Sequence, residues 1–233
     1  MKRFVSKLLS AKPSGPGQLQ REGKELRRLE SLIDTVVAIV IVGIVLDLPE
    51  PDESIAFELA SFVAFRVESL IMAMLGVIVL MVYWFQSNLL LGNLTRTDGT
   101  HAAISLLQVF LVLVYLLSVS LGFSFGDEPL ILAAQSIAAA LVGFAAAAAW
   151  YYASHKRRLL TPEMDGEEIA ALRLRVLAEP LTALLTLGLA FVSSLAWELG
   201  WLAYPLIAAM LRKARVGKSA GAAPESETSG EKS

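Results

Sequence analysis

From Thr35 to Leu46 no side chain but that of Thr35 is polar, and the run is bracketed by Asp34 before it and by Asp47, Leu48 and Pro49 after it. A helix needs about 17 to 25 apolar residues to cross a bilayer, so this one crosses only when counted back through Leu32 and Ile33 toward Arg28. Asp34 then falls within the membrane or at its edge. An ionised carboxylate at such a depth costs about 2.5 kcal/mol or more, so it demands a partner, water or a protein-lined cavity. Arg28 is the nearest preceding cation, but six residues away it misses the three- and four-residue spacing at which helix side chains meet. A partner on a neighbouring helix fits better.

Comparable apolar runs recur at 69–91, 102–123, 130–152, 177–194 and 202–211, the last completed by counting back to about Leu195. With 55% hydrophobic residues and a mean hydropathy of +0.61, the chain is too apolar for an ordinary soluble domain. The expected fold is all-α, a polytopic membrane protein with six transmembrane helices. Tyr83-Trp84-Phe85, Trp150-Tyr151-Tyr152 and the pair Trp197 and Trp201 read as aromatic girdles where helices leave the hydrocarbon, with Trp197–Trp201 taken as a turn. The fourth run is rich in alanine, which lets helices approach closely and marks it as packed against protein. Between the runs, 50–58 reads as an acidic loop and 55–66 as a short amphipathic surface helix. Pro129 suits the first turn of the fourth helix, and Pro162 the first turn of a short surface helix before the fifth.

Charge gives an independent test of this count. Of the 20 Lys and Arg residues, only Arg66 falls on the outside when the N- and C-termini are placed in the cytoplasm. The outer loops hold Asp47, Glu50, Asp52, Glu53, Glu58, Glu68, Asp127, Glu128 and Glu198, the asymmetry that the positive-inside rule requires. The expected organisation is a flexible cytoplasmic tail at 1–20, a six-helix membrane domain at 21–213 and a disordered cytoplasmic tail at 214–233. The expected location is the plasma membrane, or the inner membrane if the source is bacterial.

The residues that chemistry needs are scarce. There is no cysteine, which removes disulfides, thiolate metal sites and a Cys nucleophile. His101 and His155 fall at helix borders, where an interfacial role suffices. Ser118, Ser120, Ser193 and Ser194 read as packing hydroxyls. Glu179, just before Pro180, reads as interfacial. No phosphate-cradling loop and no basic groove with interleaved aromatics is present, so ATP-driven transport and nucleic-acid binding lose their warrants. No catalytic residue, metal site or cofactor is expected, and the chain does not read as an enzyme.

The first run offers another possibility. Leu32, Val36 or Ile39, Gly43 or Val42, and Leu46 recur at helical steps and form one apolar stripe. Periodicity alone also fits aliphatic packing against lipid or core. If the stripe instead faced an axis shared by several copies, Asp47 would place a ring of carboxylates at the outer mouth and concentrate cations there.

Arg28, Asp34, Ala38-Ile39 and the closing Leu46-Asp47-Leu48 resemble the first-helix signature of the transmembrane protein 175 family, with Ser61-Phe62, Tyr83-Trp84 and Asp98 following in similar order. The resemblance implies a potassium-selective leak channel built as a tetramer of six-helix subunits in the lipid bilayer. Its pore would be lined by Ile39, Val42, Gly43 and Leu46, the constriction being apolar, with Asp47 at the outer mouth. Arg28 and Asp34 would form a buried polar network holding the first three helices together. Three positions depart from the signature: Leu32-Ile33 stands for Phe-Ser, Val42 for a threonine, and the surroundings of Ser87 and Asn88 for a pair of histidines. A non-conducting scaffold or partner subunit with the same fold, and a proton-coupled carrier, are the rival readings.

Overall fold

The computed structural model describes residues 16–50, 59–126 and 128–220. Helix α1 spans Pro16–Leu46 and opens on a proline, whose fixed φ and missing N–H suit a first helical position. The tail expected at 1–20 is therefore helical over 16–20; residues 1–15 lie outside the described residues. Helix α2 spans Leu59–Leu91 without a break. The separate surface helix expected over 55–66 is, over 59–66, simply the start of α2, while 51–58 lie outside the described residues. Arg66 is tolerated there because its guanidinium donates to the Pro49 carbonyl at 3.2 Å and lies 5.5 Å from the Phe62 ring centre.

Helix α3 spans Gly99–Phe125, capped by Asp98, whose side chain accepts from the His101 N–H at 2.9 Å. It stops at Gly126, where φ of 62° is a conformation that a Cβ disfavours. Helix α4, Pro129–Ser154, begins on proline as expected. It is the central helix: 67% of its most apolar stretch is buried, against 17% to 33% for the other membrane-crossing helices. Ala139, Ala146 and Ala153 are almost wholly enclosed. Lipid tails are as apolar as leucine, so close helix packing through small residues stands in for the hydrophobic drive.

After α4 the chain folds back on itself. Thr95 donates to Leu159 at 3.0 Å and Thr161 to Asn93 at 3.1 Å, which ties two loops together at one end of the bundle. Thr161 is held in that pairing, so the next helix does not begin at Pro162. Helix α5, Gly166–Arg175, starts instead behind Asp165, which accepts from Glu168 N at 2.7 Å while the Glu168 carboxylate accepts from Asp165 N at 3.3 Å. This reciprocal capping satisfies two otherwise orphaned N–H groups.

Helix α6 covers only Ala178–Leu189, about 18 Å of rise, so the fifth span expected over 177–194 is not one crossing helix. It is split at Val176 and Leu177. Pro180 has no N–H to return to the Val176 carbonyl, and Gln86 Nε2 takes that oxygen instead at 3.5 Å. Together α5 and α6 run antiparallel to α4: Arg173 donates to Ser154 Oγ at 3.0 Å, Glu179 meets Gly143, and Thr186 pairs with Ser136 at 3.0 Å. Helix α7 (Ser194–Gly200), a 3-10 turn at Trp201–Ala203 and helix α8 (Tyr204–Ala220) complete the fold.

Trp197 and Trp201 are not an interfacial turn. They are buried in helical segments, and Trp197 donates to Ser136 Oγ at 2.8 Å. Among the described residues five helices are long and apolar enough to cross a membrane, and the protein is a multi-pass, helical membrane protein. The α8 helix also continues through 214–220; residues 221–233 lie outside the described residues.

Candidate functional site

Helix α1 has two faces. Leu26, Leu29, Ile33, Val37, Val40 and Ile44 follow one another at steps of three and four and are buried against α2 and α3. The opposite stripe carries Leu32, Ile39, Val42 and Leu46, which are 41%, 60%, 56% and 77% exposed. No described segment of the chain covers it. Gly43, expected with this stripe, is turned away: a Cβ there would lie 3.3 Å from Leu116 on α3, so its smallness serves packing. Val36 is likewise half-buried toward the core. Asp47 is exposed at the end of the stripe, its N–H closing on the Gly43 carbonyl at 2.9 Å.

Two hydroxyls that the sequence reading did not single out lie on the exposed side, Ser31 and Thr35, with Thr35 Oγ1 donating to Ser31 O at 2.7 Å. Thr35 puts an oxygen one turn ahead of Ile39 and in line with Val42, and Ser31 lies one turn further back. The helical period, applied to polar as well as apolar positions, would have found them.

Arg28 and Asp34 do not pair. Both are exposed within one protomer, and Asp34 accepts instead from Trp84 Nε1 of α2 at 2.8 Å. Gln86, Asn88, Asn93 and Gln108 also bond elsewhere: Gln108 reaches Ser87 Oγ at 3.2 Å, while Asn88 and Asn93 donate to carbonyls one turn back. The buried network expected of Arg28 and Asp34 is thus a single α1–α2 bond in the protomer. Trp84→Phe should remove it at a cost of about 0.5 to 1.5 kcal/mol, read as a lowered melting temperature in detergent, while Phe110→Leu, on an exposed ring of α3, should leave that temperature unchanged.

The buried polar centre lies elsewhere. Glu179, expected at an interface, is only 1% exposed, and its Oε1 shares the Tyr83 hydroxyl with the Ala139 carbonyl. Tyr83 has one proton, and the Ala139 carbonyl already accepts an intrahelical N–H, so the hydroxyl is available to the carboxyl. Glu179 Oε2 fits against Gly143, where an added Cβ would stand 2.0 Å from it. Tyr115 packs edge-on to Tyr83 with ring centres 6.3 Å apart, and closes the site from α3. His101 is also buried, its Nδ1 2.8 Å from Thr97 Oγ1. Among the described residues no group of three or more His, Asp or Glu is placed to hold a metal ion.

One helix pair brings Asp34 to Trp84 and leaves an uncovered apolar stripe beside it, and both features fall in a segment matched by a known family. The family model described as the endosomal/lysosomal potassium channel TMEM175 matches residues 28–117. Over these residues the chain is similar to the TMEM175 family. They take in all of the uncovered stripe, the Asp34–Trp84 bond and most of α3. Over most of the chain the likeness to TMEM175 is one of fold. A solved lysosomal potassium-selective channel TMEM175 homolog from Chamaesiphon minutus superposes with a TM-score of 0.67 at 18% identity, covering 81% of this chain and 98% of that one. No curated protein matches the chain in sequence.

Proposed function

We propose that this protein is a subunit of a potassium-preferring cation leak channel in which the uncovered face of α1 from each of four copies surrounds a common axis. The observation that carries the reading is that face itself: large aliphatic side chains in a continuous stripe, on a helix matched by a potassium-channel family, with no described residue of their own subunit over them. The family is one of ion channels rather than enzymes, and the matched solved structure is named as potassium-selective.

Ile39 and Leu46 lie seven residues apart, about 10 Å along the axis, so they define an apolar throat with two rings. A throat of this kind gates and sizes the leak by how readily it wets. Ser31 and Thr35 sit on one side of the throat and Asp47 on the other, where polar and anionic groups ease loss of the cation's water shell and raise its local concentration. Purified protein in liposomes should pass potassium faster than sodium, and Asp47→Asn should lower the cation flux at low salt by about two- to fivefold and by less at high salt, as screening removes the surface charge. Oligomers that carry no cation flux would instead select the scaffold reading, which the replacement of the signature hydroxyl by Val42 favours.

A further inference from the structure

Away from α1, on the other side of α4, helices α5 and α8 enclose a groove of about 590 Å³. Leu172, Ala171, Pro205, Ala208 and Ala209 make its floor, and Arg175, Arg212 and Tyr204 reach it together with Glu167. Its level along the bundle is set by a neighbour. Arg173, two residues before Arg175, donates to Ser154 Oγ at 3.0 Å and to Ser154 O at 3.2 Å, where α4 ends and the basic run from His155 begins. Arg173 also lies 5.1 Å from the Tyr151 ring centre, so its own charge is accounted for.

Arg175 and Arg212 differ from it. Both are exposed, and neither is hydrogen-bonded or ion-paired to a described residue. Arg175 stands slightly deeper than Arg173, at a level where a guanidinium is costly unless it meets an anion or snorkels out. Beyond Arg212 the sequence continues with Lys213, Arg215 and Lys218, a cationic segment directly after a membrane helix. Basic pockets between helices at a membrane face are suited to anionic head groups, and cationic juxtamembrane segments add about 1 kcal/mol per charge near such a surface. Exposed Leu206 and Met210 on α8 continue the apolar surface alongside.

We infer that this groove binds one anionic phospholipid per subunit, its phosphate held between Arg175 and Arg212 and an acyl chain lying along the alanine-lined floor. Arg supplies a planar fork that grips phosphate through two N–H bonds, and Tyr204 offers a hydroxyl at the deeper end. Ala208 and Ala209 leave the width that a hydrocarbon chain needs. The inference depends on the membrane fold and not on conduction, so it stands or falls separately from the channel reading.

The test is native mass spectrometry of the purified full-length protein, with phosphatidylglycerol, phosphatidylcholine or inorganic phosphate added in turn. The wild type should retain phosphatidylglycerol at least about tenfold better than phosphatidylcholine. The double variant Arg175→Gln, Arg212→Gln should lose that preference, whereas Lys156→Gln with Arg157→Gln, on the same membrane face outside the groove, should keep it. Ala208→Phe fills the floor while leaving both arginines in place, and should reduce lipid retention about as far. Equal retention of the two lipids, a preference unchanged in the arginine and Ala208 variants, or full displacement by millimolar inorganic phosphate would overturn the inference; the last would mean an adventitious ion only.

Discussion

Gly143→Ala should lower the melting temperature more than any other one-carbon change in the bundle. The added Cβ would stand 2.0 Å from Glu179 Oε2 and 2.7 Å from Pro180 Cδ. Neither atom can retreat easily, because Glu179 is tied to Tyr83 and Pro180 begins the helix that packs on α4. Overpacking alone costs about 1 to 3 kcal/mol, and the displaced carboxyl also forfeits its bond inside the membrane, which adds about 1 kcal/mol or more. In the double variant Gly143→Ala, Glu179→Ala the clash with the carboxyl disappears while that with the proline remains. The two changes should therefore be non-additive by about 1 to 2 kcal/mol, measured by a double-mutant cycle on thermal unfolding in detergent. Additive losses would mean that the glycine and the carboxyl do not share one site. Glu179→Gln is the companion variant: an amide brings its own donor to the Tyr83 hydroxyl, so it should retain most of the stability that Glu179→Ala loses.

These residues also show what a sequence conceals. Apolar runs gave α1 to α4 closely, because a run of hydrocarbon side chains has one stable use in a membrane and the helical period then assigns its faces. The alanine content of α4 pointed correctly to the middle of the bundle. The fifth span was harder: Pro180 was visible, but its consequence depends on Gln86, distant in sequence, accepting the role of donor to Val176. Glu179 looked interfacial because position along the chain was its only cue. Its burial is set by Tyr83, Ala139 and Gly143 on two other helices, and no local pattern reports that meeting. The α1 stripe was legible at Leu32, Ile39, Val42 and Leu46, yet Gly43 could not be separated from Val42 by period alone, since both lie within one helical step. Asp34 was rightly expected to need a partner on another helix; that the partner is an indole N–H and not Arg28 follows from the crossing of α1 and α2.

Ile39→Asn should raise cation flux through liposomes by at least about tenfold and weaken the preference for potassium over sodium. Ile39 is 60% exposed and lies on the uncovered stripe about one turn beyond Thr35. In a tetramer the substitution would exchange four aliphatic side chains for four amides at one level, and amides hold water where isoleucine expels it. A tenfold gain needs the barrier to fall by only about 1.4 kcal/mol, well within what eight added polar groups in a narrow throat provide. Selectivity should fall with it, because a wetter throat lets both cations pass with more of their own hydration. Leu206→Asn supplies the contrast: the residue is 66% exposed on α8, across the fold from α1, and its substitution should leave flux unchanged. If Ile39→Asn assembles as the wild type does and its flux and selectivity do not move, the uncovered face of α1 does not line the ion path. If Leu206→Asn moves them equally, the effect comes from a disturbed bilayer and not from the throat.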